Sequence, residues 1–487
     1  MKYLILNLPD TTKYIIHRNW AGTFGTAELK IHHDGGRFLP IELLYSASAL
    51  INSDKEFRLI DAQAQELDNT ATVSAVKDFK PDVIVSMICL PSYKNDLEIL
   101  DSIKIAIPDT KIVLLGGLAN VISEKILNES KIDYLINGRY PFYNNLIEFI
   151  KKQDKAKGIT YKKNGKIIKN PKLEDANDLN EINFKAYDLI DLEKCLSIGR
   201  DKFGNIIKWI PLLTGVGCPY PCSYCAYPLA YGKKFIYKDI DLVIDEIVYI
   251  IDKFGITDFC MRDIVFTQNR ARVIELCNKI QKRNLKIKFL FETRVDCVDE
   301  ELLQILKKAG CYQINFGFET GSSQIFENIG KPGADIESLK KAFSLTKKYS
   351  IITIAHIILG LPSENKDTIE ETYKLLKEIK PDGVNFNYIT PYPGTKMHDY
   401  ARTNNLIVEN NWSNYTSHNV VMKSEYLSVD DLRKIGNKLD KKLAIYNLFT
   451  NKRFRKLWIK KYLRFILFNK ILRRPYNNLI NDIKLDE

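Results

Sequence analysis

The most informative stretch of this 487-residue chain is Gly217-Cys218-Pro219-Tyr220-Pro221-Cys222-Ser223-Tyr224-Cys225. Its cysteines have C-x3-C-x2-C spacing, and its two prolines exclude a helix, so the sulfurs lie on a loop. Three thiolates on a four-iron cubane leave one iron without a protein ligand, and that iron is available for chemistry. Unmodified thiols or a zinc site are the alternatives, but zinc is usually closed by two C-x2-C or Cys/His pairs, and no second pair lies nearby. We therefore predict that Cys218, Cys222 and Cys225 bind an iron–sulfur cluster.

The composition is that of an ordinary globular protein with two or three domains. Hydrophobic residues make up 45% of the chain and charged residues 27%. No run of about 18 apolar residues occurs, and the N-terminal apolar stretch is too short for a signal peptide, so we expect a cytoplasmic protein. Nine cysteines, six of them dispersed singly outside the loop, fit a reducing compartment better than a disulfide framework.

Much of the excess positive charge lies near the C-terminus. The net charge is +12, and residues 452–474 contain ten Lys or Arg and no acidic residue. Apolar residues recur there at helical spacing with basic residues largely opposite, which is typical of a helix lying on anionic lipid. The segment predicts a peripheral contact with the inner membrane face, and the alternative is an amphipathic helix packed on the protein with a solvated basic face. No nucleic-acid-binding motif is recognisable, so a nucleic-acid partner is not expected.

Residues 1–150 alternate short apolar strands with helices. This alternation predicts a Rossmann-like parallel sheet covered by helices on both faces, with ligands at the carboxyl ends of the strands. The predicted strands cover residues 2–6, 57–59, 83–87, 111–115 and 134–136, and the predicted helices lie near 41–51, 70–79, 95–105 and 121–128.

The same alternation returns in residues 208–395 with six strand–helix units. Eight units close a β/α barrel, so six predict a partial (βα)6 TIM barrel that is open on one side. A connector over 151–207 contains a hairpin whose turn is Asn164-Gly165. Residues 396–487 are predicted to be mostly helical, with a capping box at Ser428 and Asp431 opening a helix to about residue 449. The predicted fold class is therefore α/β, with a Rossmann-like domain, a partial barrel and a helical C-terminal region.

The cysteine loop and the polar residues that follow the barrel strands resemble the radical S-adenosylmethionine (SAM) superfamily. The resemblance implies a [4Fe–4S] cluster whose fourth iron is chelated by the amino and carboxylate groups of SAM. It also implies reductive cleavage of SAM to a 5′-deoxyadenosyl radical, hydrogen abstraction from a substrate, and a reductant such as ferredoxin or flavodoxin.

The same resemblance assigns roles to individual residues. Tyr224 is the aromatic residue that usually precedes the last cysteine. Asp263 is expected to contact the SAM amino group, Glu292 and Arg294 its ribose or carboxylate, and Glu319 either SAM or the substrate. Carboxylates suit an ammonium and ribose hydroxyls, while arginine can bind a carboxylate bidentately. A structural salt bridge in the barrel mouth is the alternative for each charged residue.

Several N-terminal phrases resemble the cobalamin-binding domain that precedes many radical SAM barrels, among them 60–62, 81–86, 116–117 and 132–138. By analogy, Ser86, Gly116 and Gly117 would line a pocket for the nucleotide tail of cobalamin. The D-x-H-x-x-G motif is absent, because His17, His32 and His33 have the wrong spacing, so cobalamin would bind base-off without a protein imidazole. Arg139 stands where the family usually has Glu. The alternative is a domain that has lost the cofactor or holds only substrate.

The predicted function is that of a radical SAM enzyme acting on an unactivated carbon of a small-molecule or lipid substrate. The basic C-terminal segment favours a hydrophobic, membrane-lipid substrate, with carbon–carbon bond formation, cyclisation or head-group attachment as the reaction. Two alternatives remain open at this point: cobalamin-dependent methyl transfer to a non-lipid metabolite, and a non-catalytic iron–sulfur scaffold.

Overall fold

The computed structural model describes residues 1–30, 37–138, 140–173, 179–200, 206–450 and residue 455. His32, His33, Arg139 and the basic segment 452–474, apart from Arg455, lie outside the described residues. Among the described helices, none is both long enough and apolar enough to cross a membrane.

The first sheet covers the N-terminal third of the chain. Its strand order is β4-β1-β5-β6-β7-β8-β9, with β1 and β4 to β7 parallel and the hairpin β8–β9 added antiparallel to β7. Strands β2 and β3 form a separate antiparallel hairpin. These strands are β1 (Tyr3–Asn7), β2 (Tyr14–His17), β3 (Thr26–Leu29), β4 (Phe57–Asp61), β5 (Val83–Met87), β6 (Lys111–Leu115), β7 (Tyr134–Ile136), β8 (Ile159–Lys163) and β9 (Lys166–Lys169), and the helices between them are α1 (Ile41–Ile51), α2 (Asn69–Phe79), α3 (Tyr93–Ala106), α4 (Gly117–Val121), α5 (Ser123–Glu129) and α6 (Tyr143–Lys152).

The second sheet has the order β10-β11-β14-β15-β16-β17-β18. Six of its strands are parallel, and β10 pairs antiparallel with β11 at one edge. The strands are β10 (Ser197–Arg200), β11 (Ile206–Leu212), β12 (Gly215–Val216), β13 (Ile236–Tyr237), β14 (Asp258–Met261), β15 (Lys288–Thr293), β16 (Cys311–Glu319), β17 (Ile352–Leu359) and β18 (Gly383–Tyr388). The helices are α7 (Tyr227–Tyr231), α8 (Ile240–Phe254), α9 (Arg270–Lys282), α10 (Glu300–Lys308), α11 (Ser323–Asn328), α12 (Ile336–Lys348), α13 (Lys366–Ile379), α14 (Lys396–Thr403) and α15 (Val429–Thr450).

The predicted fold class is confirmed, and the strongly periodic elements lie within one to three residues of their predicted bounds. Asn164 and Gly165 have the positive φ values of a tight hairpin turn, as predicted. Ser428 and Asp431 form the predicted capping box, in which the Asp431 N–H donates to Ser428 Oγ and the Ser428 N–H donates to Asp431 Oδ2, each at 3.1 Å. The C-terminal region from residue 396 was predicted to be mostly helical. It contains α14 and α15, but residues 404–428 between these helices are largely irregular.

The two sheets share one hydrophobic core. Tyr45 of α1 and Tyr140 lie 5.4 Å apart between ring centroids, and Tyr140 contacts Tyr231 of α7 at 5.2 Å. These rings belong to a buried cluster that also contains Leu212 of β11 and Tyr187. Burial of these aromatic rings stabilises the packing of the first sheet and α1 against α7, which lies near the start of the second sheet.

Candidate active site

The cysteine loop lies between two short strands that pair with each other. The loop begins directly after β12 and leads into α7, and β13, which follows α7, pairs antiparallel with β12. Gly217 has φ +97°, and a Cβ there would collide with the Lys234 carbonyl oxygen, so the entry to the loop requires glycine. The Cys218 N–H donates to the Gly232 carbonyl at 3.0 Å, and the Ser223 N–H donates to the Ile329 carbonyl at 3.0 Å.

The three cysteines line one cavity of about 250 Å³ at the carboxyl ends of the second sheet. Cys218 is buried, and Cys222 and Cys225 are half-buried. No three metal-binding side chains of the described residues come close enough together to hold a single metal ion. Three cysteines without a fourth metal-binding side chain on the same loop fit an open iron–sulfur cluster better than a closed zinc site.

The surroundings of the thiols work against ionisation until a metal is bound. Burial raises the pKa of Cys218, Cys222 and Cys225, that of Cys225 to about 12. The Lys331 ammonium lowers the pKa of Cys222 in part, and the Arg294 guanidinium does so for both Cys218 and Cys222. Iron would therefore supply most of the positive charge that three thiolates require.

Arg294 presents a donor to this cavity. Its Nε and Nη2 donate to the Asp296 carboxylate at 2.9 and 3.0 Å, and Nη2 also donates to the Pro332 carbonyl. The guanidinium stacks on the Tyr220 ring with 3.8 Å between the guanidinium carbon and the ring centroid. Nη1 is buried and has no partner among the described residues. A buried donor without a partner costs free energy, so Nη1 is suited to a carboxylate ligand in the cavity.

Glu319 and Lys331 form a buried ion pair that also lines this cavity. Lys331 Nζ lies 2.7 Å from Glu319 Oε1 and 2.5 Å from the Gly317 carbonyl oxygen, which it donates to. The two side chains are only 4% and 10% exposed. A register shift after Gly317 and a left-handed φ of +62° turn Glu319 towards the cavity, beside Tyr224. Such strain at a non-glycine residue is typical of functional sites.

The structure brings together most of the residues that the sequence singled out in the barrel. The cavity wall contains Tyr224, Glu292, Arg294 and Glu319 with the three cysteines. The Asp263 carboxylate accepts from the Thr214 N–H at 2.8 Å and from Thr214 Oγ1 at 2.7 Å, and it is not among the wall residues of the cysteine cavity. Its contact with the SAM amino group remains a prediction.

The residues predicted for the cobalamin tail lie at strand ends that the chain itself fills. Ser86 Oγ donates to the Leu6 carbonyl at 2.7 Å. The Gly117 N–H donates to Thr23 Oγ1 at 2.5 Å, and a Cβ at Gly117 would lie 2.6 Å from Ala230 Cβ. A Cβ at Gly116 would meet Thr23 Oγ1 at 3.4 Å. Ser86, Gly116 and Gly117 therefore do not line either described cavity, and their role remains a prediction.

A second cavity of about 790 Å³ adjoins the first. The two share five wall residues: Trp20, Tyr224, Ile264, Glu319 and His356. About half of the other wall residues of the larger cavity are aromatic or aliphatic, including Phe38, Trp209, Phe386, Tyr388 and Tyr392, and most of the rest are polar. Its size and its position beside the cysteine cavity make it the candidate substrate site.

Sequence reasoning missed several residues of this site. Trp20 follows the hairpin strand β2 and covers the cysteine cavity, and its ring lies 5.4 Å from that of Phe38 and 4.4 Å from the Arg262 guanidinium carbon. His356 of β17 also lines both cavities, and its Nε2 is buried and has no partner among the described residues. The only sequence feature that could have indicated Trp20 is the group of aromatic residues within 14–38, but their order does not show which cavity they line.

A partial barrel with a three-cysteine loop at the carboxyl end of its first strand defines an iron–sulfur enzyme of the radical SAM class. The family model of the radical SAM superfamily matches residues 212–376. An uncharacterized methyltransferase of Pyrococcus horikoshii is 30% identical over 408 residues, which cover 82% of this chain and 86% of the relative. The chain belongs to the radical SAM superfamily, and it is an enzyme of that superfamily with a cobalamin-binding-type domain ahead of the barrel.

Other relatives agree with this placement. The anaerobic magnesium-protoporphyrin IX monomethyl ester cyclase of Rubrivivax gelatinosus is 26% identical over 90% of this chain and 77% of its own length. The cobalamin-dependent radical enzyme OxsB, solved with aqua-cobalamin and SAM, has a TM-score of 0.68 at 17% identity, covering 97% of this chain and 75% of that one. The methyltransferase TsrM of Kitasatospora setae, solved with cobalamin and a [4Fe–4S] cluster, has a TM-score of 0.64 at 16% identity, covering 82% and 78%. The two structural likenesses show a shared fold.

Proposed function

We propose that this chain cleaves SAM reductively at a [4Fe–4S] cluster and uses the resulting radical on an unactivated carbon of a hydrophobic substrate. The observation that carries the proposal is the pair of adjoining cavities, one lined by three cysteines and the other by aromatic, aliphatic and polar residues. A radical formed in the first would reach a substrate held in the second without crossing solvent.

The donor set fits the cluster and its co-substrate. When bound, the cluster supplies the electron that splits the sulfonium of SAM, and the remaining work falls to the protein. Cys218, Cys222 and Cys225 would hold three irons. Arg294 Nη1 is available to a carboxylate, and Glu292 is available to ribose hydroxyls on the same wall. Trp20 covers this space, which limits the access of water to the radical.

The lining of the larger cavity supports an apolar substrate. Aromatic and aliphatic residues bind an apolar body, while Asn385 and Asn387 of β18 supply a few polar contacts at its wall. Carbon–carbon bond formation, cyclisation and head-group attachment on a membrane lipid are the reactions we favour. The basic segment 452–474 supports a lipid substrate and a peripheral position on the inner membrane face. Flotation with anionic liposomes, with and without residues 450–487, tests this part: equal flotation of both forms contradicts it.

Methyl transfer to a non-lipid metabolite is the second candidate. The named relatives include a methyltransferase and a cyclase, so the family supports either outcome. Cobalamin, when bound, supplies the methyl group in such a reaction. Because the strand ends around Gly117 are filled by the chain, a corrinoid would have to occupy the larger cavity against Trp20 and Phe38.

Two measurements test these proposals. Anaerobic reconstitution with iron and sulfide, followed by dithionite and SAM, is expected to yield 5′-deoxyadenosine, whereas a non-catalytic scaffold would yield none. For cobalamin, protein from cells grown with the vitamin should show a corrinoid absorption spectrum. Trp20→Ala should lower corrinoid retention, while Trp412→Ala, at a tryptophan that contacts Tyr93 and lines neither cavity, should leave it unchanged. If the wild-type protein shows no corrinoid absorption, cobalamin does not occupy the larger cavity, and the substrate is then its proposed occupant.

A further inference from the structure

The Trp20 indole is part of the wall of both cavities. The backbone that follows it is closely packed: the Gly25 N–H donates to the Trp20 carbonyl at 3.0 Å, and a Cβ at Gly22 would lie 2.7 Å from the Tyr227 Cα, just beyond the cysteine loop. These contacts fix the main chain but leave the two side-chain torsions of Trp20 to be set by other groups. The orientation of the indole therefore depends on what its ring contacts.

Arg262 supports this ring. Its guanidinium carbon lies 4.4 Å from the centroid of the Trp20 ring, and its Nη2 donates to the Asn19 carbonyl at 3.4 Å. Phe38 meets the same ring edge-on, with 5.4 Å between the ring centroids. The described residues that line the two cavities include Trp20 and Phe38 but not Arg262. Arg262 therefore acts on the cavities through the indole on which it stacks.

The guanidinium is held in place and keeps its charge. The Arg262 N–H donates to the Leu212 carbonyl at 2.8 Å, which ties the residue to the carboxyl end of β11. Burial opposes the charge, but nearby acidic groups, foremost Glu292, outweigh it and raise the pKa of Arg262 above its ordinary value. A cation over an indole face binds more strongly when it is withdrawn from water than at an exposed site.

The position of the indole matters because the larger cavity is open to solvent. Asn437 of α15 lines this cavity and is exposed. The cysteine cavity meets the larger one at the shared wall residues, among them Trp20, Tyr224 and Glu319. A small molecule such as dioxygen that enters at Asn437 therefore passes Trp20 before it reaches the cysteines.

We infer that Arg262 is a positioning residue that holds the Trp20 indole as a partition between the larger cavity and the cysteines. This inference rests on the proposed function, because the partition shields the cluster at which SAM would be cleaved. Without the guanidinium, the indole would leave its position, and dioxygen would reach the cluster faster. Charge alone does not replace the guanidinium, because its planar group stacks on the ring and an ammonium does not.

Two readouts on the full-length protein test the inference. The first is acrylamide quenching of tryptophan fluorescence before reconstitution with iron and sulfide. Each protein is compared with a version that also carries Trp20→Phe, so that the difference reports the Trp20 indole alone. The second is the rate at which the brown absorption of the reconstituted cluster fades in air, measured in variants whose iron content and circular dichroism match those of wild type.

The test variants are Arg262→Met, which removes the charge, and Arg262→Lys, which keeps the charge without the planar group. Arg272→Met is the matched control. Arg272 also stacks on an aromatic ring, with 5.0 Å between its guanidinium carbon and the Tyr237 centroid, and donates to the Thr214 carbonyl. Like Arg262, it is not among the described residues that line the two cavities.

In Arg262→Met, the Trp20 component should become more accessible to acrylamide, and the cluster should fade about fivefold faster than in wild type. Arg262→Lys should fade at a rate between the two, about twofold faster than wild type, because a cation remains over the ring. Arg272→Met should match wild type in both readouts.

A double variant separates positioning from a general loss of structure. Trp20→Ala should fade faster than wild type, and adding Arg262→Met to it should cause no further increase, because the two residues act as one unit. If Arg262 only stabilised the surrounding fold, the two effects would multiply.

Three results would overturn the inference: wild-type quenching and fading in Arg262→Met, multiplied effects in the double variant, or the same acceleration in Arg272→Met. If Arg262→Met does not fold, Arg262→Lys decides, and fading at the wild-type rate in that variant contradicts the inference. Failure of the proposed function looks different, because wild type would then form no 5′-deoxyadenosine with dithionite and SAM while the quenching result would be unaffected.

Discussion

The carboxyl ends of the two parallel sheets are used in different ways. In the first sheet, the segment Trp20–Gly25 covers the ends of β5 and β6: the Leu90 N–H donates to the Phe24 carbonyl at 2.8 Å, and a Cβ at Gly25 would lie 2.6 Å from Cys89 Cβ. In the second sheet, the same edge carries the cysteines, a buried ion pair and a buried free donor. Open α/β sheets bind ligands at this edge. We call the carboxyl end of the first sheet, on which the segment Trp20–Gly25 packs, the closed edge, and the carboxyl end of the second sheet, which lines the cysteine cavity, the open edge.

The largest effect is expected at the open edge. Cys222→Ala should lower bound iron to a fraction of the wild-type content and reduce 5′-deoxyadenosine formation to that of a protein-free blank, because two thiolates cannot hold the cluster. The fold should persist, since this half-buried side chain adds little to the core. Iron analysis measures the bound iron, the 5′-deoxyadenosine assay measures activity, and circular dichroism measures whether the fold persists.

A neighbouring cysteine is the matched control for this substitution. Cys297 is half-buried near Tyr220, with Sγ 3.9 Å from the Tyr220 hydroxyl, and it does not line the cysteine cavity. Cys297→Ala should keep full iron and activity. Normal iron in Cys222→Ala would contradict the assignment of the open edge.

The second effect concerns the ion pair at the open edge. Lys331→Met leaves the Glu319 carboxylate buried without its partner, which typically costs about 3–5 kcal/mol of unfolding free energy. Urea unfolding of the protein measures this loss. Adding Glu319→Gln should recover part of it, and Lys308→Met, at an exposed position, should change the unfolding free energy by no more than about 0.5 kcal/mol. A Lys331→Met variant as stable as wild type would contradict this prediction.

The sequence predicted those features of the two sheets that depend on a regular residue pattern or on a fixed spacing. Strands and helices such as β5, β6 and α1 were predicted to within a residue because their apolar periodicity is strong. The cysteine loop was recognisable because its chemistry depends on spacing alone. The hairpin β2–β3 was missed, since two four-residue strands carry little periodic signal.

The direction of a single side chain is a different problem. Asp263 and Glu292 both follow a barrel strand, yet Thr214 takes up the carboxylate of Asp263 while Glu292 lines the cavity. Ser86 likewise matches a cofactor-binding phrase but bonds to the neighbouring strand. Local sequence does not encode which hydrogen-bond partner another strand will offer, so these assignments required the tertiary structure.

The third effect tests the filling of the closed edge. Gly117→Ala places a methyl group 2.6 Å from Ala230 Cβ and 2.7 Å from the Gly22 carbonyl oxygen, and such overpacking typically costs about 1–3 kcal/mol. The urea midpoint should fall accordingly. Adding Ala230→Gly removes one of the two contacts, so the double variant should be more stable than the sum of the single effects predicts. If Gly117→Ala unfolds at the wild-type midpoint, the edge is not closely packed.

The smallest effect is a pH dependence where the two sheets meet. Glu42 of α1 accepts a hydrogen bond from the Tyr231 hydroxyl of α7 at 2.5 Å, and burial raises the pKa of its carboxyl from 4.5 to about 7. Between pH 4.5 and 7 the folded chain holds a proton on Glu42 that the unfolded chain has released. This group therefore stabilises the fold less as pH rises through that window, by at most about 1.4 kcal/mol per pH unit, and its contribution is constant above it.

Glu42→Gln keeps an acceptor for Tyr231 and removes the titration, so unfolding free energies measured by urea at several pH values should fall less steeply from pH 5 to 7 than in wild type. Glu98→Gln, at an exposed position of α3, is the control and should leave the slope unchanged. An unaltered slope in Glu42→Gln would show that water reaches this carboxyl. The packing of α1 on α7 would then be looser than the close packing of Gly117 on Ala230 of α7 indicates. The first sheet would in that case be less tightly packed against α7 than the comparison of the two edges assumes.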